Sequence, residues 1–428
     1  MAPTKDATRA VLGIALVAVL LVAAALWLGR DAESGGRTVL RLRIWDQSFV
    51  SAYRASLDEF ERANPDVEVR ITLVPWASYQ QKLRLDVAGG VADDLFWTNL
   101  YEDYADSGHL MDIGATLGPQ AAEGWDPQAV RQYTRDGKLW AVPQFVDGGT
   151  AVYVNLDLLG QAGVDPAELA AARWSPDPEQ DTFRPLLRRL ATVSAWPYNA
   201  ANDFQSITLP YLGSAGGQLQ RDGRFDFDSP QGREAFGYTV GLVTDRLSPS
   251  AADTSSASAD FAKNAFLQGR MALFQSGTFN LAAIAKQAGF RWRVAMIPAG
   301  PAGRVSANNA IGVAGNAASA HPEAVRRVLA WLGSAAGNRY LGTAGATIPA
   351  VVSDQQVYRD YWTAHGIDVS PFFDVLRGNE IAAGGGPGFP AALQAILPIL
   401  DEMYLGRLPV PDALARAQRE GNAALTQQ

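Results

Sequence analysis

Residues 136–159 read DGKLWAVPQFVDGGTAVYVNLDLL. The first half, Lys138-Leu139-Trp140-Ala141-Val142-Pro143, is a short apolar run closed by a proline. The second, Thr150-Ala151-Val152-Tyr153-Val154-Asn155, is β-branched and aromatic up to a polar end. Both compositions predict strands. Between them Gly148-Gly149 opens backbone angles that other residues resist, so the chain can bend there or cross from one body to another. Polar Gln144 and Asp147 flank Phe145 on that crossing. The stretch is therefore expected to join two lobes and to help line the cleft between them.

Working outward towards the N-terminus, residues 38–45 alternate as a first strand that ends at Asp46-Gln47-Ser48. Tyr53, Leu57 and Phe60 share a helical face that Asn64-Pro65 terminates. Residues 67–74 alternate again, a helix follows across Tyr79, Leu83 and Val87, and Asp94-Leu95-Phe96-Trp97 empties into Thr98-Asn99-Leu100-Tyr101. Strand, helix, strand, helix, strand with short links predicts the α/β class, with a parallel sheet covered on both faces. Ligands of such sheets sit beyond the carboxyl ends of the strands, where Asp46, Gln47, Trp97 and Asn99 fall.

Towards the C-terminus, Ala171 to Glu179 is proline-rich and reads as a surface loop before a helix over 183–193. Trp196-Pro197-Tyr198-Asn199 is an aromatic and polar cluster after that helix, and Arg221-Asp222-Gly223-Arg224 is a hairpin turn. The Ser, Ala and Asp-rich stretch 248–260 reads as a mobile loop. A strand over 271–274 runs into Gln275-Ser276-Gly277-Thr278-Phe279-Asn280, which opens the next helix and offers free backbone N–H groups at Gly277. Return crossings are expected near 304–313, where Asn308 either shapes a turn or meets a ligand, and near 347–350. The glycine-rich loop 384–388 can approach a ligand closely, with Phe389 as a cover. These readings divide the chain into a first lobe, 38–146 with 310–348, and a second, 147–309 with 349–428.

The 428 residues exceed the usual size of one core, in keeping with two lobes. Lys5 and Arg9 precede an unbroken apolar run over 10–28, about 19 residues and long enough to span a bilayer. Residues 1–30 read as an uncleaved membrane anchor, with a cleaved secretory signal as the alternative, and 31–37 as a flexible spacer. Cysteine is absent, which excludes disulfides, thiol nucleophiles and lipid attachment through a cysteine. Of 36 basic and 44 acidic side chains, the leader holds three and one, so the exported body carries a net charge of −10. An acidic body without a basic patch is a poor nucleic-acid binder.

As an ordered set, IWDQ (44–47), EFERANPDVEVRITLVPW (59–76), DDLFWTNLYEDYADSGHLMDI (93–113) and the 136–159 stretch resemble the extracellular solute-binding proteins of ABC importers. So do NAFLQGRMALFQSGTFNLA (264–282), RWRVAMIPAGP (291–301) and HPEAVRRVLAWLGSAAGNRYLGTAGATIPA (321–350). The likeness is greatest to the carbohydrate-binding group that includes the maltose-binding protein. It implies a two-lobed periplasmic-binding-protein fold with three interlobe crossings, capture of a sugar in the cleft, and delivery to membrane permease subunits. A monomer without a cofactor is expected. Within the likeness Tyr198 matches a tyrosine lining the sugar site and Phe279 an aromatic that stacks on it. The missing lipidation cysteine and the proline-rich 171–179 segment depart from many relatives.

Sugars present hydroxyls at the ring edge and C–H bonds on the ring face. Asp46, Gln47, Asn99, Gln144, Asp147 and Asn199 are expected to take the hydroxyls, and Trp97, Tyr198 and Phe279 the face. Ser276, Gly277, Asn308 and Phe389 complete the expected ligand-binding set, and Asp147 is its leading member. Trp97→Ala and Asp147→Ala are each expected to weaken ligand binding about tenfold or more without unfolding the chain. The ligand is expected to be a sugar, oligosaccharide, amino sugar or glycerophosphodiester. A membrane-anchored sugar sensor and a carbohydrate-active enzyme are the competing functions. Against catalysis stand the scattered His109, His321 and His365 and the absence of H-E-x-x-H, G-x-S-x-G and phosphate-loop patterns. No catalytic residue and no metal site is expected.

Overall fold

The computed structural model describes residues 36–201, 203–250, 252–253, 260–378 and 380–426. The apolar run 10–28, most of the 31–37 spacer and the centre of the 248–260 loop lie outside the described residues. No helix among the described residues is long and apolar enough to cross a membrane.

The first three strands, β1 (Thr38–Ile44), β2 (Val67–Leu73) and β3 (Leu95–Thr98), are parallel, with Leu40 opposite Val69 and Leu42 opposite Leu95. A two-residue hairpin, β4 (Thr134–Arg135) and β5 (Lys138–Leu139), precedes β6 (Val142–Val146) and β7 (Ala151–Asn155). A second small hairpin is β8 (Gln220–Arg221) and β9 (Arg224–Phe225), turned by Asp222 at φ 50° and Gly223 at φ 73°, as the Asp-Gly pair predicts. Then come β10 (Leu273–Ser276), β11 (Trp292–Ala295), β12 (Ala310–Gly315) and β13 (Ile348–Pro349).

These strands make two main sheets. One has the order β13-β6-β12-β3-β1-β2, the other β10-β7-β11. The parallel half of the larger sheet is the half expected from sequence. Its other half is antiparallel, because the returning strand β12 inserts between β3 and β6. The 136–159 stretch thus supplies β6 to one sheet and the central strand, β7, of the other.

The two glycines between β6 and β7 have separate reasons. Gly148 has φ +67°, open to it at little cost. Gly149 lies where a Cβ would come within 1.9 Å of Val375 Cγ1, and its N–H donates to Phe372 O at 2.7 Å. The crossing strand and the late segment 372–375 therefore touch through a position that only glycine fills.

One large apolar core joins Leu40, Leu42, Val69, Leu57 and Phe60 under the larger sheet to Tyr153, Phe274 and Val294 on one face of the smaller, while Val152, Val154, Phe183 and Trp174 pack in a second core on its other face. A third cluster joins Phe225, Phe227 and Phe389 to the helices Phe389–Tyr404 and Val410–Leu425. Arg43 is the one buried cation of β1. It is paired with Asp93 and, at 2.6 Å, with Asp86, which meets the requirement that a buried charge be partnered.

Two details differ from the sequence reading. The proline-rich loop after Ala171 is not wholly a surface feature. Trp174 is buried against Tyr211 and Tyr238, with ring centroids 5.2 and 5.1 Å away. The helix Gln355–Ala364, placed by the expected boundary in the second lobe, packs on the helix Ala335–Thr343 and on β13 of the larger sheet, and buries Tyr358 and Trp362 in the large core. The apolar face of that helix decides this, and Val375 is where the chain joins the second core.

Candidate functional site

The bodies built on the two sheets meet at a cavity of about 120 Å³. Gln80 and Arg84 reach it from the helix Trp76–Ala88, and Leu100, Glu102 and Asp103 from the segment leaving β3. Pro390 and Ala391 close it from the first turn of the helix Phe389–Tyr404. The segment leaving the carboxyl end of parallel strand β3 thus forms part of one wall, where such sheets place their ligands.

The walls are held together by hydrogen bonds. Glu102 Oε1 accepts from Gly386 N at 2.9 Å and Asp103 Oδ1 from Gly388 N at 2.8 Å. Both acceptors are carboxylates facing the start of a helix, a favourable place for negative charge. Gly388 has φ 72°, and a Cβ on Gly385 would lie 2.9 Å from Glu102 Oε1. The glycine-rich loop therefore serves as a latch to the other lobe. Replacing Glu102 and Asp103 together by alanine is expected to weaken this closed arrangement by about 1–2 kcal/mol, both groups being half-buried. Small-angle scattering checks it: the radius of gyration should increase, and an unchanged value would mean that other contacts hold the lobes.

At the hinge, Asp147 is buried. Its Oδ2 accepts from Gln205 Nε2 at 2.7 Å, its N–H donates to Asn309 O at 2.8 Å, and its carbonyl accepts from Thr278 Oγ1 at 2.7 Å. One residue thus ties the first crossing to the second, Asn309, and to the start of the helical segment after β10. Burial pushes the Asp147 carboxyl up to about 6, against the opposing pull of hydrogen bonds from Gln205 and Asn309. Gln205 stands in a single π-helical turn, Phe204–Thr208.

The expected site residues separate into three groups. Asn99 and Asn308 are half-buried near the interlobe boundary, and each has a buried Oδ1 without a hydrogen-bond partner among the described residues. Asn308 Nδ2 donates to Gln128 Oε1 at 2.8 Å. Asp46 and Gln47 do lie at the exit of β1, but Asp46 Oδ1 caps the following turn through Ser48 N and Oγ, both at 2.8 Å, while Gln47 is exposed.

A second group is committed to the fold. Gln144 is fully buried; it accepts from Tyr53 OH at 3.1 Å, and Nε2 donates to the carbonyls of Val142, Pro143 and Leu332. Tyr198 donates to Gln275 Oε1 at 2.5 Å, and Asn199 pairs with the Gln275 backbone through both amide atoms. Ser276 is buried and accepts from Asn280 Nδ2 at 2.9 Å. Gly277 is buried, its carbonyl accepts from Tyr153 OH at 2.8 Å, and a Cβ there would lie 2.4 Å from Phe279 Cε1. Phe279 keeps 37% of its surface exposed.

The third group is core. Trp97 has no exposed surface and packs edge-on to Trp45, Phe49 and Phe145. The run Leu95–Thr98 is buried throughout, the mark of a strand covered on both faces. Phe389 stacks on Phe225 at 5.6 Å inside the third cluster, so it is a core residue and no cover for a ligand.

Trp45, Trp76, Gln80, Arg84, Glu102, Asp103 and Gln205 were not singled out from sequence. Trp76, Gln80 and Arg84 carried a signal, since residues four apart share a helix face. A larger groove of about 460 Å³ lies elsewhere on the second lobe, beside Pro176, Arg184 and Tyr238. Its arginines are already paired, Arg184 with Asp245 at 2.6 Å and Arg233 with Asp228 at 2.9 Å.

Comparison with known proteins places this geometry. UspC of M. tuberculosis is 53% identical, with a TM-score of 0.73 over 90% of this chain and all of that one. An ABC substrate-binding protein of Listeria monocytogenes in complex with cycloalternan is 20% identical, with a TM-score of 0.79 over 90% of this chain and 98% of that one. A lactose-binding protein of Rhizobium radiobacter is 28% identical over 163 residues, 37% of this chain. The chain spans 38% of that relative's length and 59% of a putative binding protein of Brucella abortus. The model of the bacterial extracellular solute-binding protein family matches residues 46–339. With that match over more than half its length, and with the two-lobed fold of the periplasmic binding proteins, the chain belongs to the bacterial extracellular solute-binding protein family.

Proposed function

We propose that the protein captures a sugar or sugar derivative between its lobes, outside the cytoplasm, and delivers it to the membrane permease of an ABC importer. The observation that carries this reading is the interlobe cavity. Both lobes wall it, and the buried Gln80 Nε2 at it and Asn99 Oδ1 beside its lining residue Leu100 have no partner among the described residues. A donor and an acceptor left unmade next to carboxylates suit a ligand rich in hydroxyls. The similarity to a lactose-binding protein supports the same class of ligand.

At about 120 Å³ the cavity is smaller than the roughly 300–1,000 Å³ of small-molecule sites, so ligand entry requires the lobes to part and close again. The crossings at 146–151, 305–310 and beyond 349 are the connections about which they would move. The segment 10–28 is read as the tether that keeps the receptor at the membrane. The ligand-binding group proposed from sequence is retained as Asp147, Asn99 and Asn308, with Gln80 added. No catalytic step is assigned, since Asp46 is used by a turn and Asp147 by the hinge.

The test is calorimetric titration of the full chain with sugars, amino sugars and glycerophosphodiesters. Saturable binding by at least one sugar is expected. No binding by any of them, together with turnover of a glycoside, would sink the reading.

A further inference from the structure

We propose that the ligand is a phosphate ester of a sugar, whose phosphate enters the interlobe cavity and is taken there by Arg84, Gln80 and Tyr104. The inference rests on the sugar-binding reading above and narrows its ligand from sugars in general to an anionic derivative.

The hydrogen-bonding capacity left over at the cavity is that of donors. Gln80 Nε2 is buried and has no partner among the described residues. Arg84, exposed one turn later on the same helix side, makes no ion pair and no side-chain hydrogen bond among the described residues. Its nitrogens stay more than 4.0 Å from the carboxylates of Glu102 and Asp103, which line the same cavity. Tyr104 lines it too and is buried. Burial pushes its hydroxyl up to about 12, against the opposing pull of Arg84, so it stays an O–H at neutral pH.

The acceptors on these walls are already engaged. Glu102 accepts from Gly386 N through Oε1 at 2.9 Å and from Tyr101 N through Oε2 at 3.0 Å, and Asp103 Oδ1 accepts from Gly388 N at 2.8 Å. A sugar hydroxyl brings a donor as well as an acceptor, whereas an ionised phosphate brings acceptors alone. The guanidinium fork matches phosphate oxygens two at a time, and the remaining two donors suit the others. The helix Phe389–Tyr404 also begins at this cavity, with the positive end of its dipole towards it.

Size points the same way. At about 120 Å³ the cavity has room for roughly four water molecules, enough for a phosphate group and short of a whole sugar. The ring itself would lie beside it, towards Asn99 and its unpartnered Oδ1. The net charge of −10 on the exported body opposes anions at a distance, but beyond a Debye length of about 8 Å that field is screened and the contact donors decide.

The experiment titrates the full chain, wild type, Arg84→Gln and Arg84→Lys, with glucose, galactose, the 1- and 6-phosphates of each, glucosamine and inorganic phosphate. At least one ester is expected to bind the wild type about tenfold or more tightly than its parent sugar, as one charge-assisted contact allows. Arg84→Gln should cut that preference to less than about twofold, and Arg84→Lys, which keeps the charge without the fork, should retain part of it. Circular dichroism should show both variants folded, Arg84 being an exposed helix residue. Parent sugars that bind as tightly as their esters overturn the proposal and leave sugar capture standing. So does a preference that survives in Arg84→Gln. Inorganic phosphate as tight as the esters would make the cavity a free-phosphate site and overturn its part in sugar recognition. Glucosamine as the tightest ligand would give the cavity to its carboxylates and overturn the proposal as well. If no sugar and no ester binds the wild type, the functional reading fails and this one with it.

Discussion

Replacing Trp97 by alanine is expected to lower the unfolding free energy by about 3–5 kcal/mol, as for other large buried aromatics. The indole has no exposed surface and meets Trp45, Phe49 and Phe145 at centroid separations of 4.8–5.2 Å. Its N–H begins a chain of donors: Trp97 to Tyr53 OH at 2.9 Å, and Tyr53 to Gln144 Oε1 at 3.1 Å. Truncation would leave a cavity between β3 and the hinge strand and deprive a fully buried hydroxyl of its donor. Trp97→Phe keeps the rings in contact but loses the N–H, and is expected to cost about 1–2 kcal/mol. Urea unfolding followed by circular dichroism measures both. A loss below about 1 kcal/mol for the alanine variant, joined to a tenfold fall in sugar affinity, would return Trp97 to the ligand site where its strand-exit position first suggested it.

That reversal marks where reading the chain alone stops. Alternation in 38–45 and 67–74 and the short apolar run at 94–97 set β1, β2 and β3, because hydrophobic periodicity is a local property. Asp222-Gly223 and Gly148-Gly149 were legible for the same reason: a positive φ favours glycine or a short polar side chain such as Asp, and a close approach of backbone to side chain requires glycine, wherever they occur. Burial of aromatics was not local. Phe389 is covered by Phe225, 164 positions earlier, and Tyr198 is held by Gln275, 77 positions later. Nothing within a few residues of either separates a core ring from one that faces a ligand. The cavity wall was hidden too, since Glu102 and Asp103 acquire their meaning only when Gly386 and Gly388 arrive opposite them. Gln80 and Arg84 were the exception, which their four-residue spacing could have found.

The hinge carboxylate gives the second large effect, and its sign follows from burial. Asp147 is raised from 3.8 to about 6 in the folded chain, so between these values the folded state binds more protons than the unfolded one. Stability contributed by this group is full below about pH 4, falls as pH rises, and is lost once the folded carboxyl ionises above about 6. The shift corresponds to about 3 kcal/mol. Asp147→Asn carries no charge at any pH and should escape that fall. The difference in unfolding free energy between variant and wild type should therefore grow by about 3 kcal/mol in the variant's favour from about pH 3 to pH 8. Asp203, Asp354 and Glu380, whose carboxyls burial also raises, are common to both proteins and cancel in the difference. A difference that does not move with pH would mean that the hinge carboxyl titrates normally. Under the proposed function the same substitution should weaken sugar binding about tenfold or more, because an ionised carboxylate accepts hydroxyl hydrogen bonds more strongly than an amide. A site that keeps a costly buried charge at neutral pH, though an uncharged isostere would be more stable, fits one shaped by binding rather than by stability. Gain of stability with loss of affinity, from one atom changed at Asp147, is the result that would join hinge and ligand in a single residue.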